Sequence, residues 1–365
     1  MSARRLTPVL LCLLLLPSLV GAATLRVPAD FPLIQSAIGA AATGDSILVG
    51  PGSYAENLVV TGKSVTLIGT AGADATIVDG GRDGRVLLLA GGLVDGFTLR
   101  NGLAARGAGA YLSCAGPTIV RNCVVRDNEA RNVGGFDPDG FGGGIYLAPG
   151  NTGEVVVEGN VVTANRSWGQ GGGISSEVWS AAVEIRENLI SGNEAFYSGG
   201  GVSMSDGVLL RNRIVGNTVE VGGGGGVSLV GGACLGNTIV GNAASGGGGV
   251  EAAYGTVARN LVVGNRLTYP DGSGAGISAG IDLTLECNDS WGNEGDDFML
   301  GGSDTTGTHN FSADPLFCAP GDYRISNGSP CVGITACGLI GALPPACGVT
   351  AVRRVTWGAL KGAYR

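Results

Sequence analysis

Histidine occurs once in this chain, at His309, and no Cys-x-x-Cys pair occurs at all. A histidine-based triad or a zinc centre therefore lacks its partners. Large aromatic residues are scarce, with 8 Phe and 4 Trp, and only 14% of residues are charged, which argues against a conventional core built on a few bulky side chains. Positive charge is also in deficit. The formal net charge is −8 and becomes more negative once Arg4 and Arg5 are removed with a leader, so direct binding of polyanions, nucleic acid included, is disfavoured without a cation bridge. Outside the N-terminus no apolar run is long enough to span a bilayer. What the chain does have is 69 Gly and a 44% hydrophobic content in which Val, Ile and Leu recur in short runs. That composition suits many short strands joined by tight turns.

Arg4 and Arg5, an apolar run from Val9 to Leu16 and the small residues Gly21, Ala22 and Ala23 form the pattern of a signal peptide over 1–23. Cys12 lies inside the apolar run and is read as part of the leader rather than as a lipid anchor. Eight cysteines remain for an oxidising compartment. Cys318, Cys331, Cys337 and Cys347 crowd into the closing segment 314–347, where they are read as disulfide staples with all three pairings open.

One unit recurs seven times: an Asn, four or five residues, a second Asn, a variable loop, then a glycine cluster followed by an aliphatic residue. The first Asn is read at Asn122, Asn160, Asn188, Asn212, Asn237, Asn260 and Asn288, and the second at Asn128, Asn165, Asn193, Asn217, Asn242, Asn265 and Asn293. Three residues before the first Asn stand Ile119, Val157, Ile185, Leu209, Cys234, Val257 and Leu285, and two after it Val124, Val162, Ile190, Ile214, Ile239, Val262 and Ser290. Such columns bury themselves only if successive coils stack about 4.8 Å apart. Asn is expected to take the left-handed bend and to form hydrogen-bonded ladders, and Gly to supply positive φ and close backbone approach.

The expected fold is all-β, a single-stranded right-handed parallel β-helix over 24–347. Leu33, Ile34, Ala37, Ile38 and Ala41 at helical spacing supply an N-terminal capping helix within 24–45, and the Cys-rich segment 314–347 supplies the opposite cap. The basic tail 348–365, with Arg353, Arg354, Lys361 and Arg365, is read as a sorting or anchoring signal addressed to secretion machinery.

Ile34-Gln35-x-Ala37-Ile38 through Gly44-Asp45-x-Ile47, then Pro51-Gly52-x-Tyr54-x-Glu56-Asn57, resembles the first coils of pectin-methylesterase-like and related pectin-lyase-fold proteins. The Gly-Gly-Gly-Ile/Val and Ile/Val-x-x-Asn repeats are similar to those of polymorphic outer-membrane adhesins. Asp314-Pro315-x-Phe317 through Tyr323 and Ser329-Pro330-Cys331 resembles the closing coil of secreted bacterial β-helix proteins. These resemblances imply fold. The Gln-Asp-Thr and Asp-Phe-x-x-Gly motifs of the esterases are missing, and of the polygalacturonan hydrolase motifs only Gly295-Asp296-Asp297 is matched in part.

Loop length varies at one corner of every coil, and equal positions in a solenoid share one side. That corner gathers Arg131, Phe136, Asp137, Asp139, Arg166, Trp168, Gln170, Glu194, Phe196, Tyr197, Arg266, Tyr269 and Asp271. Phe136, Trp168, Gln170, Phe196, Tyr197 and Tyr269 are the substrate-binding candidates, because aromatic faces with flanking polar groups suit sugar rings. Arg131 and Arg166 are the candidates for a proton-abstracting base, should the chain be a calcium-assisted uronate lyase. Asp137, Asp139, Asp296 and Asp297 are the calcium candidates. The leading reading is a non-catalytic extracellular or cell-surface β-helix that binds polysaccharide or surface glycans; the lyase, or another carbohydrate-active enzyme, is the alternative.

Overall fold

A computed structural model describes residues 21–113, 116–132, 140–149, 153–179, 182–269, 274–301 and 309–348. Most of the leader, Cys12, Cys114, Phe136, Asp137, Asp139, Asp271 and the tail from 349 onwards lie outside the described residues.

The chain winds into a right-handed parallel β-helix. One sheet contributes a single strand per coil and has ten strands, from Gly52–Ala55 to Asp289–Trp291, which sets the count at ten coils. The largest sheet, 19-stranded, takes two strands from most coils, and a short sheet of seven two-residue strands runs from Leu103–Ala104 to Arg266–Leu267. We call these the middle, broad and short sheets.

The expected aliphatic columns stack in register. Val157, Ile185, Leu209, Cys234, Val257 and Leu285 pair in succession on parallel strands and are all fully buried or nearly so. Val162, Ile190, Ile214, Ile239, Val262 and Ser290 form a second column, in which the Ser290 hydroxyl is satisfied by the Asp297 carbonyl at 2.7 Å. Each buried aliphatic side chain contributes about 1.5–3 kcal/mol relative to exposure. Cys234 takes its place in this core, and burial pushes its thiol up to about 12, so it behaves as a small hydrophobe.

Both asparagine ladders form, with one correction. Nδ2 of Asn128, Asn165, Asn193, Asn217, Asn242 and Asn265 each donates to Oδ1 of the next member at 2.9–3.0 Å, ending on Asn293. The other ladder runs from Asn160 through Asn188, Asn212, Asn237, Asn260 and Asn288 to Asn310. Asn122 is not part of it. Arg121 pairs with Glu158, which aligns Cys123 with Asn160, and it is the Cys123 backbone N–H that donates to Asn160 Oδ1 at 2.9 Å. Val120 and Val125, rather than Ile119 and Val124, are therefore the buried residues of that coil.

The left-handed bend also falls elsewhere than expected. It is taken by the residue before each ladder position: Asn122 (φ 51°), Gly159 (62°), Glu187 (58°), Arg211 (52°) and Arg259 (57°) on one side, Asp127 (58°), Ala164 (52°) and Gly192 (60°) on the other. The ladder asparagines keep their amides pointing inward, where each backbone N–H and Nδ2 finds the same oxygen of the next coil. Their hydrogen bonds hold non-glycine neighbours in a region that costs an L-residue about 1–2 kcal/mol. Of the glycine cluster, Gly199 supplies positive φ (63°), whereas Gly201 is needed for approach, since a Cβ there would sit 2.6 Å from the Gly226 carbonyl.

The capping helix spans Ile34–Ala40 and buries Ile34, Ala37 and Ile38; Leu33, expected on the same face, is instead the exposed N-cap residue, 49% accessible. The opening motif is spent on joining this helix to the first coils. Glu56 accepts the Ile34 and Gln35 N–H groups at 2.9 and 2.8 Å, Gln35 exchanges two hydrogen bonds with the Val59 backbone, and Asp45 accepts Ala23 and Ala42 N–H. Tyr54 donates to the Gly50 carbonyl and Asn57 to that of Arg85.

At the other end the Cys-rich segment folds back along the outside of the middle sheet. Its Ile325, Cys331, Cys337 and Ile340 pack on Val240, Leu261, Val263 and Cys287, with Trp291, Phe311 and Phe317 at the margin. Ala342 N–H reaches Thr238 Oγ1 at 2.9 Å. The disulfides are Cys318–Cys347 and Cys287–Cys337. The four clustered cysteines thus do not pair only among themselves, because Cys287 of a late coil takes Cys337 and leaves Cys331 as a buried thiol that donates to the buried Asp289 carboxylate at 3.0 Å.

Candidate functional site

The short sheet lies at the variable-loop corner, and from Asn128 onward its outward column is set by the residue following each second Asn. Leu103, Glu129, Arg166, Glu194 and Thr218 succeed one another across parallel pairings. Two residues on, Arg131, Trp168, Phe196 and Glu220 stand at equal places in four successive coils, as their backbone N–H bonds to Ala104, Ala130, Ser167 and Ala195 show. Inward alternates Ala130, Ser167, Ala195 and Val219 are buried, which is what turns both columns to solvent.

The Trp168 and Phe196 rings lie 6.5 Å apart at 18°, and Tyr197 meets Phe196 edge-on at 4.8 Å with 43% of its surface exposed. Arg166 sits over the Trp168 ring at 4.7 Å. Glu129 ties three coils together: Oε1 accepts the indole Nε1–H of Trp168 at 3.1 Å, Oε2 accepts Arg82 at 2.9 Å, and Arg131 approaches to 3.6 Å. Burial works to raise the Glu129 carboxyl, but the hydrogen bonds from Trp168 and Arg82 and the charges of Arg131 and Arg82 outweigh it and hold the group below its ordinary value. Beside it lies a shallow depression of about 300 Å³ lined by Arg82, Asp127, Asn128, Glu129, Ala164 and Arg166.

Trp168, Phe196, Tyr197, Arg131 and Arg166 are therefore brought together. Gln170 is exposed on the neighbouring strip and its Oε1 accepts the Ser203 hydroxyl at 3.3 Å. Tyr269 is exposed on the same side but follows Arg266–Leu267, three coils beyond Phe196, about 14 Å along the axis. The two arginines are occupied by carboxylates, Arg131 by Glu129, and Arg166 by Glu194 at 3.3 Å and Glu220 at 3.9 Å. Asp297 is spent as the stopper of one asparagine ladder: Oδ1 accepts both Asn293 N–H and Nδ2, at 3.1 and 2.8 Å, and Oδ2 accepts Ser312. Asp296 is exposed beside it. Among the described residues no three His, Cys, Asp or Glu side chains gather as metal ligands would.

Glu129 and Arg82 were not singled out in the sequence, yet they organise the site. Glu129 could have been found, since it follows Asn128 as Arg166 follows Asn165 and Glu194 follows Asn193. A second unanticipated cluster flanks it on the broad sheet, where Tyr111 and Tyr146 rings lie 5.2 Å apart and Arg106 covers Phe141 and Tyr146 at 5.1 and 5.7 Å. Tyr146 is fully buried and donates its hydroxyl to Glu177; burial first, then that carboxylate, push the phenol well above its ordinary value. With no surface of its own, Tyr146 buttresses the corner rather than meeting a ligand.

A family model described as the right handed beta helix region matches residues 59–244, which takes in most of this corner. Searches of curated proteins and of solved structures return no match.

Proposed function

This chain belongs to the right-handed β-helix family, and from that premise we propose that it is an exported or surface-attached scaffold whose short-sheet corner binds polysaccharide without cleaving it. The observation that carries this reading is the row of Trp168, Phe196 and Tyr197, aromatic groups fixed in adjacent coils beside a polar depression. Aromatic surface with a few converging polar groups is the usual make-up of a saccharide subsite. The pairing of Arg131 and Arg166 with glutamates supports binding over lyase chemistry, in which a base must be free to face the substrate. Export is supported by the leader pattern and by two disulfides.

The test is affinity electrophoresis of the purified chain through gels containing soluble polysaccharides. Trp168→Ala should weaken binding about tenfold or more, as loss of a central aromatic anchor does, while leaving the circular dichroism spectrum unchanged. Accumulation of unsaturated product, followed by ultraviolet absorbance with calcium present, would replace this reading with the lyase.

A further inference from the structure

The charges at the corner balance one another. Arg82 and Arg131 are taken by Glu129, and Arg166 by Glu194 and Glu220, so three guanidiniums face three carboxylates; Arg126 is likewise paired with Asp127 at the edge of the depression. Glu129, Arg166 and Glu194 alternate in sign from coil to coil, about 4.8 Å apart along the axis. Arg166, Glu194 and Glu220 keep 43%, 44% and 49% of their side-chain surface exposed, so each retains donors or lone pairs that its partner does not use.

We propose that the ligand of this corner is an uncharged polysaccharide, its hydroxyl groups donating to the glutamates and accepting from the arginines in alternation, and not an acidic one. The inference rests on the binding reading above and narrows it to one class of ligand. A hydroxyl is donor and acceptor at once, so a neutral sugar edge can satisfy a row that presents carboxylate, guanidinium and carboxylate in turn. A uronate carboxylate only accepts. On the guanidinium donors left free it would lie beside Glu129, Glu194 or Glu220, whose lone pairs it cannot satisfy, in the field of a chain whose net charge is already −8. The other route for an acidic polymer is a bridging cation, which the chelator in the experiment below removes. Trp168 supplies the apolar wall, and its indole N–H, bonded to Glu129, fixes the plane of the ring relative to the row.

The experiment compares polymers that differ only in charge. Polygalacturonate and alginate are run beside their carboxyl-reduced forms, and neutral xylan, galactomannan and mixed-linkage glucan are added, with the full secreted chain as the probe. The expected result is that the neutral polymers bind at least about tenfold more tightly than the acidic ones, and that high salt or a chelator leaves the binding of the neutral polymers unchanged. The double variant Glu194→Gln/Glu220→Gln should narrow the gap by improving affinity for the acidic forms. Preference for the acidic polymers, or binding abolished by salt or chelator, overturns this inference while leaving polysaccharide binding intact. Failure of every polymer to bind, with Trp168→Ala indistinguishable from the parent, overturns both.

Discussion

Replacing Asn217 by Ala should be among the most damaging single changes available to this chain. Asn217 is fully buried; its Nδ2 donates to the Ile190 carbonyl at 3.0 Å and to Asn242 Oδ1 at 2.9 Å, and its Oδ1 accepts both the backbone N–H and Nδ2 of Asn193 at 2.9 Å. Alanine leaves the Asn193 N–H without an acceptor, at about 1–3 kcal/mol for a buried orphan, and removes three further hydrogen bonds at about 0.5–1.5 kcal/mol net each. A loss of about 2.5–7.5 kcal/mol follows, read as a shift in the urea midpoint by circular dichroism. The control is Asn122→Gly. Asn122 belongs to the same sequence pattern but lies outside the ladder; its side chain donates to Asp95 at 2.9 Å, its backbone N–H bond to the Glu158 carbonyl survives the change, and its φ of 51° is one that glycine accepts freely, so its loss should stay under about 1 kcal/mol. Equal shifts for the two variants, or a shift below about 1 kcal/mol for Asn217→Ala, would refute the assignment of stability to the ladder.

Cys123→Asn should be neutral or stabilising by up to about 1 kcal/mol, because the new amide would extend the ladder between Asn160 and the Val94 carbonyl, now 3.9 Å from the Cys123 sulfur; a chemical melt checks it. Asp289→Asn should change the pH dependence of the melting temperature. Burial first, with the charges of Asp297 and Asp314, raises the Asp289 carboxyl to about 6 against the opposing bonds from Cys331 and Ala313. A carboxyl raised on folding stabilises most when protonated, so the parent should lose about 2–3 kcal/mol as pH rises from about 4 to 7, and the variant should not. The pair Cys287→Ser/Cys337→Ser opens a link of 50 residues and should cost about 2–4 kcal/mol, with a gain in hydrophobic-dye binding as Val240, Leu261 and Val263 lose their cover.

The columns were legible in the sequence because a solenoid repeats its physics: every coil must offer an aliphatic residue at the same inward place, so Leu209, Cys234 and Val257 align by eye and in space. At Asn122 residue type and spacing part company. Every other pair of ladder asparagines is five residues apart, as Cys123 and Asn128 are, and Asn122 occupies the left-handed place for which asparagine is equally suited. The corner was legible in part for the same reason, since Trp168 and Phe196 share a column. Glu129 escaped because attention to long loops passes over a strand residue, and the partnership of Cys287 with Cys337 depends on a fold-back that no local pattern records.

That fold-back acts as a ruler. Backbone pairing in the middle of the solenoid joins each coil only to the coils on either side, so one could be duplicated or deleted with little consequence to the pairing beyond a change in length. The stretch from Thr238 to Cys287 has no such freedom: Ala342 grips one end, the Cys337 sulfur bond locks the other, and the chain between them is of fixed reach. Changes in coil number are thus expected upstream of Thr238, where they would lengthen or shorten the outward row of the short sheet while the terminal clasp keeps its span.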